Sequence, residues 1–493
     1  MILSSQNVSN QKGGRMRATF SVLSVAVAAM FVGACAAHTA RTVFVPTPTA
    51  VAADVDTIDV LPIRQFSLAE IVAPVVTANR EEAPPSCDVA AIVAGTFTDS
   101  QLLDAPLTAG AKQYSYVEVR AGKETSFKDY EKDFALRVLD PATCTTEVVT
   151  LRKTYASRPL AVPVRTKTGT VTRELPRTVA VAKSPAGWDI SVVQRKNGIA
   201  WNNWATTFQV NAPANRIVVG LKYVKVEKVV KGKPILTSVL YIPHSDELVT
   251  AAPGLIDHGI AYIKEQEQRV KDDLRARGVQ SAAIPGMLLA DAMERYAAAY
   301  PLQPLLPIEH TDMGEFILDP VWTVNRVYAI IGANREQFAA NTCSPAAACG
   351  PQQFMPASYR MVRDRFPAAG LIRDVDEGRR DGFNSMKAAA LLMDLQLKTL
   401  IEMRGDAILH DPNVGELQIA GYNTGASRSA RVYGIALAKN ILEWTEARGK
   451  RCSRVTKWSE CLLTETKGYI AKYRYLTQQW PQERTLALDE QTP

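Results

Sequence analysis

The spacing of apolar residues changes once along this chain, near Pro253, and the change separates two kinds of secondary structure. Before Pro253, short runs rich in β-branched residues lie between turn residues, and some alternate, as in Leu221-Lys222-Tyr223. After Pro253, apolar residues recur three, four and seven positions apart, which is the spacing of one helix face. The chain is therefore predicted to be an α+β protein in which a strand-rich part precedes an all-helical part.

The strand-rich part is predicted to extend from residue 86 to residue 250. Its clearest element is a hairpin of residues 216–230 and 235–242, joined by Lys231-Gly232-Lys233-Pro234. Several strands at short spacing are typical of a β-sandwich or an open barrel. No residue pattern in this part indicates catalysis, so we interpret it as an accessory or binding domain.

The helical part begins with apolar residues at helical spacing from Ile256 to Leu274, and Gly278 is expected to end this helix. Further helices are predicted over residues 286–299, 321–333, 385–403, 414–422 and 429–448. Residues 254–440 are predicted to form one all-α domain, and residues 441–493 are predicted to form a helical extension after it.

The first residues of the chain have the composition of an export signal. Lys12, Arg15 and Arg17 precede an uncharged apolar run over residues 20–34. This run is shorter than the roughly 20 residues that a membrane-spanning helix needs, and its basic flank is typical of a secretory signal peptide. Residues 1–35 are therefore predicted to be a signal peptide.

The end of the apolar run, Val32-Gly33-Ala34-Cys35, resembles the bacterial lipobox, in which the cysteine becomes the lipidated first residue. The resemblance implies a lipid anchor at Cys35. Because Ala36 rather than aspartate follows it, the resemblance also implies the outer membrane, with the protein facing the periplasm. A plain signal peptide cut near Ala36, or an uncleaved anchor, is the alternative. Residues 36–85, rich in Pro, Thr and Ala, are predicted to be an extended tether.

The cysteines that remain after Cys35 form an even set, which in an exported protein indicates disulfides. They are Cys87, Cys144, Cys343, Cys349, Cys452 and Cys461. Six cysteines allow 15 connectivities, and pairing between sequence neighbours is the one we favour. A metal site would need Cys-x-x-Cys spacing or histidines at ligand spacing, and the sequence has neither.

The charge of the chain excludes one class of partner. Its formal net charge is +7, but the Lys and Arg residues form no dense run and are not interleaved with aromatic residues. The sequence therefore lacks the pattern of a nucleic-acid-binding protein. A mild positive charge suits a diffuse anionic partner, such as cell wall or anionic lipid.

Three short motifs follow one another in the helical part. They are Gly-Pro-Gln-Gln-Phe-Met-Pro from Gly350 to Pro356, Asp-Glu-Gly-Arg-Arg-Asp from Asp376 to Asp381, and Gly-Tyr-Asn-Thr-Gly from Gly421 to Gly425. Together they resemble the lytic transglycosylases of the lysozyme-like fold, chiefly the membrane-bound type D and type B enzymes. The resemblance covers roughly residues 255–440 and none of the strand-rich part.

The resemblance implies a lysozyme-like domain that cleaves the β-1,4 bond between MurNAc and GlcNAc in peptidoglycan. In this family a single Glu protonates the leaving oxygen, and the substrate's own C6 hydroxyl attacks, so the product is a 1,6-anhydro sugar. A carboxylic acid does this near neutral pH only where burial raises its pKa. No cofactor and no metal are implied.

The motifs also carry over the substrate contacts. The residues implied to bind the glycan are Gln353, Ser358, Tyr422 and Asn423. Tyr422 is implied to hydrogen-bond near the acid, although a buried structural role is its alternative. Gly350 is expected to let the backbone approach the glycan. Three further residues of this segment are interpreted as core residues: Phe354, Met355 and Tyr359.

Two glutamates are candidates for the catalytic acid. Glu309 follows Leu-Leu-Pro-Ile, which is similar to the segment before the catalytic acid in type D enzymes. It lies 41 residues before Gly350, so a helix-sized insertion between the acid and the turn is required. Glu336 follows the predicted helix 321–333 and lies 14 residues before Gly350, close to the family spacing. The serine that usually follows the acid is missing after both, so both candidates stay open.

Three neighbours complete the list of candidates. Glu315 is a third candidate for the acid, and His310 and Asp312 are expected to orient Glu309 or to form a local polar network. The departures from the family pattern also leave a second function open. The chain would then be a non-catalytic peptidoglycan-binding or structural envelope lipoprotein, whose strand-rich part docks a protein partner.

Overall fold

The computed structural model of the protein describes residues 87–120, 123–166, 169–192, 208–344, 346–452 and 460–483. The predicted signal peptide, the predicted lipidation site Cys35 and the predicted tether lie outside these residues. Within them the chain combines antiparallel strands with many helices, and strands precede the main helical part. The predicted mixture of a strand-rich and a helical part is therefore confirmed.

The strands form one curled antiparallel sheet and a separate ribbon. They are β1 (Ala109–Arg120), β2 (Lys123–Asp140), β3 (Thr145–Thr166), β4 (Gly169–Lys183), β5 (Asp189–Val192), β6 (Phe208–Ala212), β7 (Ile217–Val230) and β8 (Lys233–Tyr241). The sheet has the order β4-β3-β2-β7-β8, with β1 also paired to β2, and β5 pairs with β6. The Phe134 ring of β2 lies 4.9 Å from the Phe208 ring of β6, so the ribbon packs against the sheet.

The hairpin predicted between β7 and β8 is confirmed. Val230 pairs with Lys233, which leaves Lys231 and Gly232 as a two-residue turn. Both turn residues have a positive φ, 49° and 75°, as tight hairpin turns require. Pro234, which the sequence placed in the turn, lies within β8 instead.

Two short helices precede the sheet and twelve follow it within the described residues. They are α1 (Val89–Ala94), α2 (Ser100–Asp104), α3 (Asp246–Ala251), α4 (Gly254–Ala276), α5 (Leu289–Arg295), α6 (Leu302–His310), α7 (Met313–Leu318), α8 (Pro320–Asn334), α9 (Pro356–Arg365), α10 (Val375–Arg380), α11 (Gly382–Arg404), α12 (Val414–Thr424), α13 (Ala426–Ala438) and α14 (Thr464–Arg474). As predicted, α4 ends just before Gly278, which has a φ of 63°.

Two predicted helices are shorter than expected. The helix predicted over residues 286–299 begins only at Leu289, because Gly286 has a φ of 81°. The helix predicted over residues 429–448 ends at Ala438, and Asn440 follows with a φ of 52°. A left-handed residue interrupts the helical hydrogen-bond ladder, and apolar spacing alone does not reveal it.

The sheet and the helices share a buried core. Leu139 of β2 and Val219 of β7 pack in one apolar cluster with Leu255 of α4 and Ala329 of α8. The buried Asn334 at the end of α8 adds two hydrogen bonds: its amide oxygen accepts from Ile242 N at 2.8 Å, and its amide nitrogen donates to Ile242 O at 2.9 Å. One buried core thus extends across the predicted boundary near residues 250–254. The division into two domains at this point stays a prediction.

Helices α4 and α8 cross at unusually close range. A Cβ placed on Gly259 would overlap the Tyr328 carbonyl oxygen, and one placed on Gly332 would overlap the Leu255 carbonyl oxygen. Only glycine allows this approach. The crossing holds α8 deep in the core, and it fixes the place where the chain emerges at Glu336.

Three disulfides join sequence neighbours, so the favoured pairing is confirmed: Cys87–Cys144, Cys343–Cys349 and Cys452–Cys461. Disulfides of this kind indicate an oxidising compartment outside the cytosol. Among the residues that the structure describes, no helix is both long enough and apolar enough to cross a membrane.

Candidate active site

Glu309 lies in the last turn of α6, where the helix meets α14. The Tyr469 hydroxyl of α14 donates a hydrogen bond to Glu309 Oε2 at 2.8 Å. Within the described ranges no donor reaches the other carboxyl oxygen, Oε1, and the side chain keeps partial exposure. One oxygen is thus fixed by the protein, and the other is left for solvent or a ligand.

The surroundings of Glu309 favour its protonated form. Burial raises the pKa of Glu309 to about 7, the hydrogen bond from Tyr469 and the charge of Lys472 oppose the rise, and the charge of Glu465 adds to it. A carboxyl group with a pKa near neutrality can release or accept a proton at working pH, as a general acid or base must.

Lys472 is the cation beside this carboxyl group. Its ammonium is buried and donates to Ile308 O at 2.7 Å and to Thr311 O at 2.8 Å, the carbonyls on either side of Glu309. It also lies 4.7 Å from the centre of the Tyr469 ring. Burial lowers the pKa of Lys472, and the charge of Glu309 opposes this.

His310 and Asp312 both form local hydrogen bonds, which was one of their two predicted roles, and no hydrogen bond within the described residues joins either side chain to Glu309. His310 Nε2 lies 2.7 Å from Pro351 O. Burial lowers the pKa of His310 to about 4, so the ring is neutral at pH 7 and donates to this carbonyl. Asp312 caps α7 by accepting from Gly314 N at 2.7 Å. His310 therefore ties the end of α6 to the Gly350 turn.

Glu315, the third candidate acid, is held in a buried ion pair with Arg326. Arg326 Nη1 also donates to Glu315 Oε1 at 2.7 Å. An Arg partner favours the ionised carboxylate, so Glu315 is suited to holding α7 on α8 rather than to donating a proton.

The turn from Cys349 to Phe354 has its own backbone pairing. Cys349 N and Phe354 O, and Phe354 N and Cys349 O, are each 3.0 Å apart. Gly350 has a φ of 79°, and a Cβ there would overlap the Arg379 carbonyl oxygen. Gly350 thus lets the backbone of α10 approach the turn closely, and the expected approach of a glycan stays a prediction.

The Asp376–Asp381 motif supports this turn. Arg379 is buried, and its Nη1 donates to Ala347 O at 2.7 Å and to Phe354 O at 2.8 Å. Asp381 accepts from Asn384 N at 2.7 Å and so caps α11. The motif is thus a structural support behind the turn.

Tyr422 connects α12 to the Gly350 turn. Its hydroxyl donates to Gln352 O at 2.7 Å. Burial and the nearby charge of Glu309 raise the pKa of Tyr422 well above its usual value. The effect of the Glu309 charge shows that Tyr422 lies near this carboxyl group. The Tyr422 side chain is also partly exposed, so it has access to solvent.

The other three implied glycan contacts are placed differently. Gln353 is half-buried, and its amide donates to Gly350 O at 2.7 Å. Asn423 accepts from Thr466 Oγ1 at 2.7 Å and donates to Glu465 Oε1 at 3.2 Å, so it binds α14. Ser358 is half-buried in the first turn of α9. No hydrogen bond within the described residues joins any of these three side chains to Glu309.

Two of the three predicted core residues in this segment are buried. Phe354 is 2% exposed and Tyr359 is 0% exposed, whereas Met355 is 42% exposed. The core assignment of Met355 is therefore wrong. Met355 precedes Pro356, the first residue of α9, and its side chain points away from the packed face.

Glu336 has none of the contacts found around Glu309. It lies in a single 3-10 turn, Arg335–Gln337, just after α8, and its side chain is exposed. Within the described part of the chain, no hydrogen bond or ion pair links its carboxyl group to the Gly350 turn, α12 or α14. The geometry therefore favours Glu309 over Glu336 as the reactive carboxyl group.

Sequence reasoning missed Tyr469 and Lys472. Both fall in residues 441–493, which were predicted to be an extension outside the catalytic domain. Their spacing places them on one side of a helix, but the same spacing occurs on many solvent-exposed helices. The three-residue separation became informative only when α14 was found against α6.

Among the described residues, no group of three or more His, Cys, Asp or Glu side chains is placed so that it could hold a metal ion. The candidate active site consists of Glu309, Tyr469, Lys472 and Tyr422, which lie on α6, α12 and α14.

Compared with known protein families, curated proteins and solved structures, the chain gives no match.

Proposed function

We propose that this protein is a peptidoglycan lytic transglycosylase of the lysozyme-like type, with Glu309 as its catalytic acid. The observation that carries the proposal is the state of Glu309. Burial raises its pKa to about 7, and Tyr469 fixes one carboxyl oxygen while the other is left open. Two of the three family-like motifs are connected to it: His310, the next residue, binds Pro351 of the Gly350 turn, and Tyr422 lies near Glu309 and binds the same turn. The third motif supports the turn through Arg379.

The chemistry follows from a single carboxyl group. Protonated Glu309 gives its proton to the oxygen that joins MurNAc C1 to GlcNAc C4, and the C1–O bond breaks as positive charge develops at C1. The C6 hydroxyl of the same MurNAc attacks C1, and the Glu309 carboxylate takes the hydroxyl proton. Glu309 is thereby protonated again, and no water is consumed.

The setting of the enzyme belongs to the same proposal. The lipobox-like sequence ending at Cys35 supports a lipid anchor, and the three disulfides support a periplasmic location. We place the protein at the outer membrane, facing the periplasm. The strand-rich part is proposed to position the helical part or to bind an envelope protein.

Purified peptidoglycan sacculi test the proposal. The wild-type protein should release muropeptides with 1,6-anhydroMurNAc ends, which mass spectrometry separates from hydrolysis products because they are one water lighter. Glu309→Gln should lower the rate by about 10²–10⁴-fold, the usual contribution of a general acid. Glu336→Gln, an exposed glutamate at another helix end, is the matched control and should retain the activity.

The other outcomes are equally informative. Loss of activity in Glu336→Gln and not in Glu309→Gln would reverse the assignment of the acid. If the wild-type protein co-sediments with sacculi and releases no soluble product, the proposal of an enzyme is wrong and the alternative of a non-catalytic, wall-binding lipoprotein is favoured.

A further inference from the structure

We infer that Lys472 is a positioning residue for the reaction: it holds Glu309 and Tyr469 together and stabilises the carboxylate that forms when Glu309 gives up its proton. The inference rests on the proposed function, and it concerns a residue far outside the family-like segment of residues 255–440.

The first support is the position of the ammonium group. Lys472 is 5% exposed, and its two hydrogen bonds go to Ile308 O and Thr311 O, at 2.7 Å and 2.8 Å. These carbonyls lie at the C-terminal end of α6, where the helix dipole favours a cation. Because they flank Glu309 in the chain, the ammonium fixes the backbone that carries the acid.

The second support is the contact with Tyr469. The Lys472 ammonium lies 4.7 Å from the centre of the ring whose hydroxyl donates to Glu309. A cation over an aromatic face is attracted by it. One buried side chain thus touches both the backbone beside the acid and the residue that orients the acid.

The charge of Lys472 has a use during proton transfer. When Glu309 is protonated, the buried ammonium has no ionised partner within its hydrogen bonds. When the proton leaves, the ammonium attracts the carboxylate that forms, and this attraction is stronger because both groups are buried. Burial therefore favours the protonated form of Glu309, and the charge of Lys472 opposes this and favours release of the proton.

Other charged and titratable groups also face Glu309. Tyr469 and Glu465 lie on α14, Tyr422 lies on α12, and His310 follows Glu309 on α6. Asp312 lies near Lys472. His310 is neutral at pH 7, and Glu465 raises the pKa of Glu309. Lys472 is thus the one cation acting on Glu309 within the described residues.

The full-length protein is used for the test, with Lys472→Met to remove the charge at similar length. Release of muropeptides is measured between about pH 4 and pH 9, the range over which such an acid titrates. We expect the alkaline limit of activity to move up by about one pH unit, as for loss of a nearby opposite charge, and the plateau rate to fall about tenfold. Lys467→Met, on the same helix and paired with Glu446, is the control and should match the wild type. A lower plateau with an unmoved alkaline limit would overturn the inference, since it would show a merely structural role.

A second measurement does not depend on activity or on the folding of a Lys472 variant. Because the coupling of two titrating groups is reciprocal, Glu309→Gln should lower the pKa of the Lys472 ammonium, observed by NMR of the lysine side chains. An unchanged lysine pKa would overturn the inference. If the wild-type protein releases no muropeptides while the lysine pKa falls, the electrostatic pair stands and the proposed function fails.

Discussion

Two helix ends in this protein each carry a glutamate, and they differ in what the rest of the chain brings to them. At the end of α6, Glu309 meets Tyr469 and Lys472 of α14, and the adjacent His310 binds the Gly350 turn. After α8, Glu336 lies on an exposed 3-10 turn. The two carboxyl groups therefore differ in the contacts that distant segments make with them, and their distance from the Gly350 motif does not reveal this difference.

The largest effect on stability is expected at Gly350, where the turn packs between the backbone of α10 and the end of α6. Gly350→Ala would place a Cβ on the Arg379 backbone at a φ of 79°, and we expect it to lower the free energy of unfolding by about 2–4 kcal/mol through overpacking and backbone strain. Gly278→Ala is the control, because Gly278 also has a positive φ but open space around it. Urea unfolding of both variants measures the difference. Equal losses of unfolding free energy in the two variants would mean that the close packing of Gly350 against Arg379 does not stabilise the protein.

The two glutamates should also differ in how stability depends on pH. The pKa of Glu309 is raised in the folded protein from 4.5 to about 7, so its protonated form favours folding below about pH 4.5 and this contribution is lost as the pH rises through about 7. Glu309→Gln should therefore stabilise the protein at pH 8 relative to pH 4.5, by about 1–3 kcal/mol. Thermal unfolding at several pH values measures this.

Glu336→Gln provides the comparison for that experiment. Its side chain is exposed on the 3-10 turn after α8 and lies outside the site around Glu309, so this variant is the control for replacing a glutamate by a glutamine. If the two variants showed the same dependence on pH, the contrast between the helix ends would be lost.

The smallest effect is expected from removing one hydroxyl group. Tyr469→Phe deletes the donor to Glu309 Oε2, which should reduce muropeptide release about tenfold, equivalent to about 1.4 kcal/mol, close to the contribution of one hydrogen bond to a charged group. Tyr473→Phe, one helical position beyond Lys472, removes a hydroxyl that does not reach Glu309 and should have little effect. A similar loss in both variants would indicate general damage to α14.

Much of the fold could be predicted from local patterns. The α4 helix, the β7–β8 hairpin and the disulfide Cys343–Cys349 each depend on residues close in sequence. The errors have local causes too: Gly286 and Asn440 adopt left-handed backbone conformations that end helices where apolar spacing continues. Apolar spacing reports which residues face the core, and it does not report the backbone angles between them.

The site was harder to predict because its chemistry depends on contacts across long stretches of sequence. The motifs around Gly350 and Tyr422 were found from the sequence, but the close packing of Gly350 against Arg379 was not predicted. Glu309 and Glu336 could not be separated by spacing, since burial against α14 distinguishes them. Tyr469 lies 160 residues beyond Glu309, and no local signal connects the two.

The long separation of α14 from α6 along the chain has a consequence for how the protein folds. A polypeptide that stops before Thr464 contains the whole family-like segment and yet lacks both side chains that hold Glu309 and its backbone. Because Tyr469 lies 160 residues after Glu309, these contacts form only after all of the chain between them has been synthesised and α14 has packed against α6.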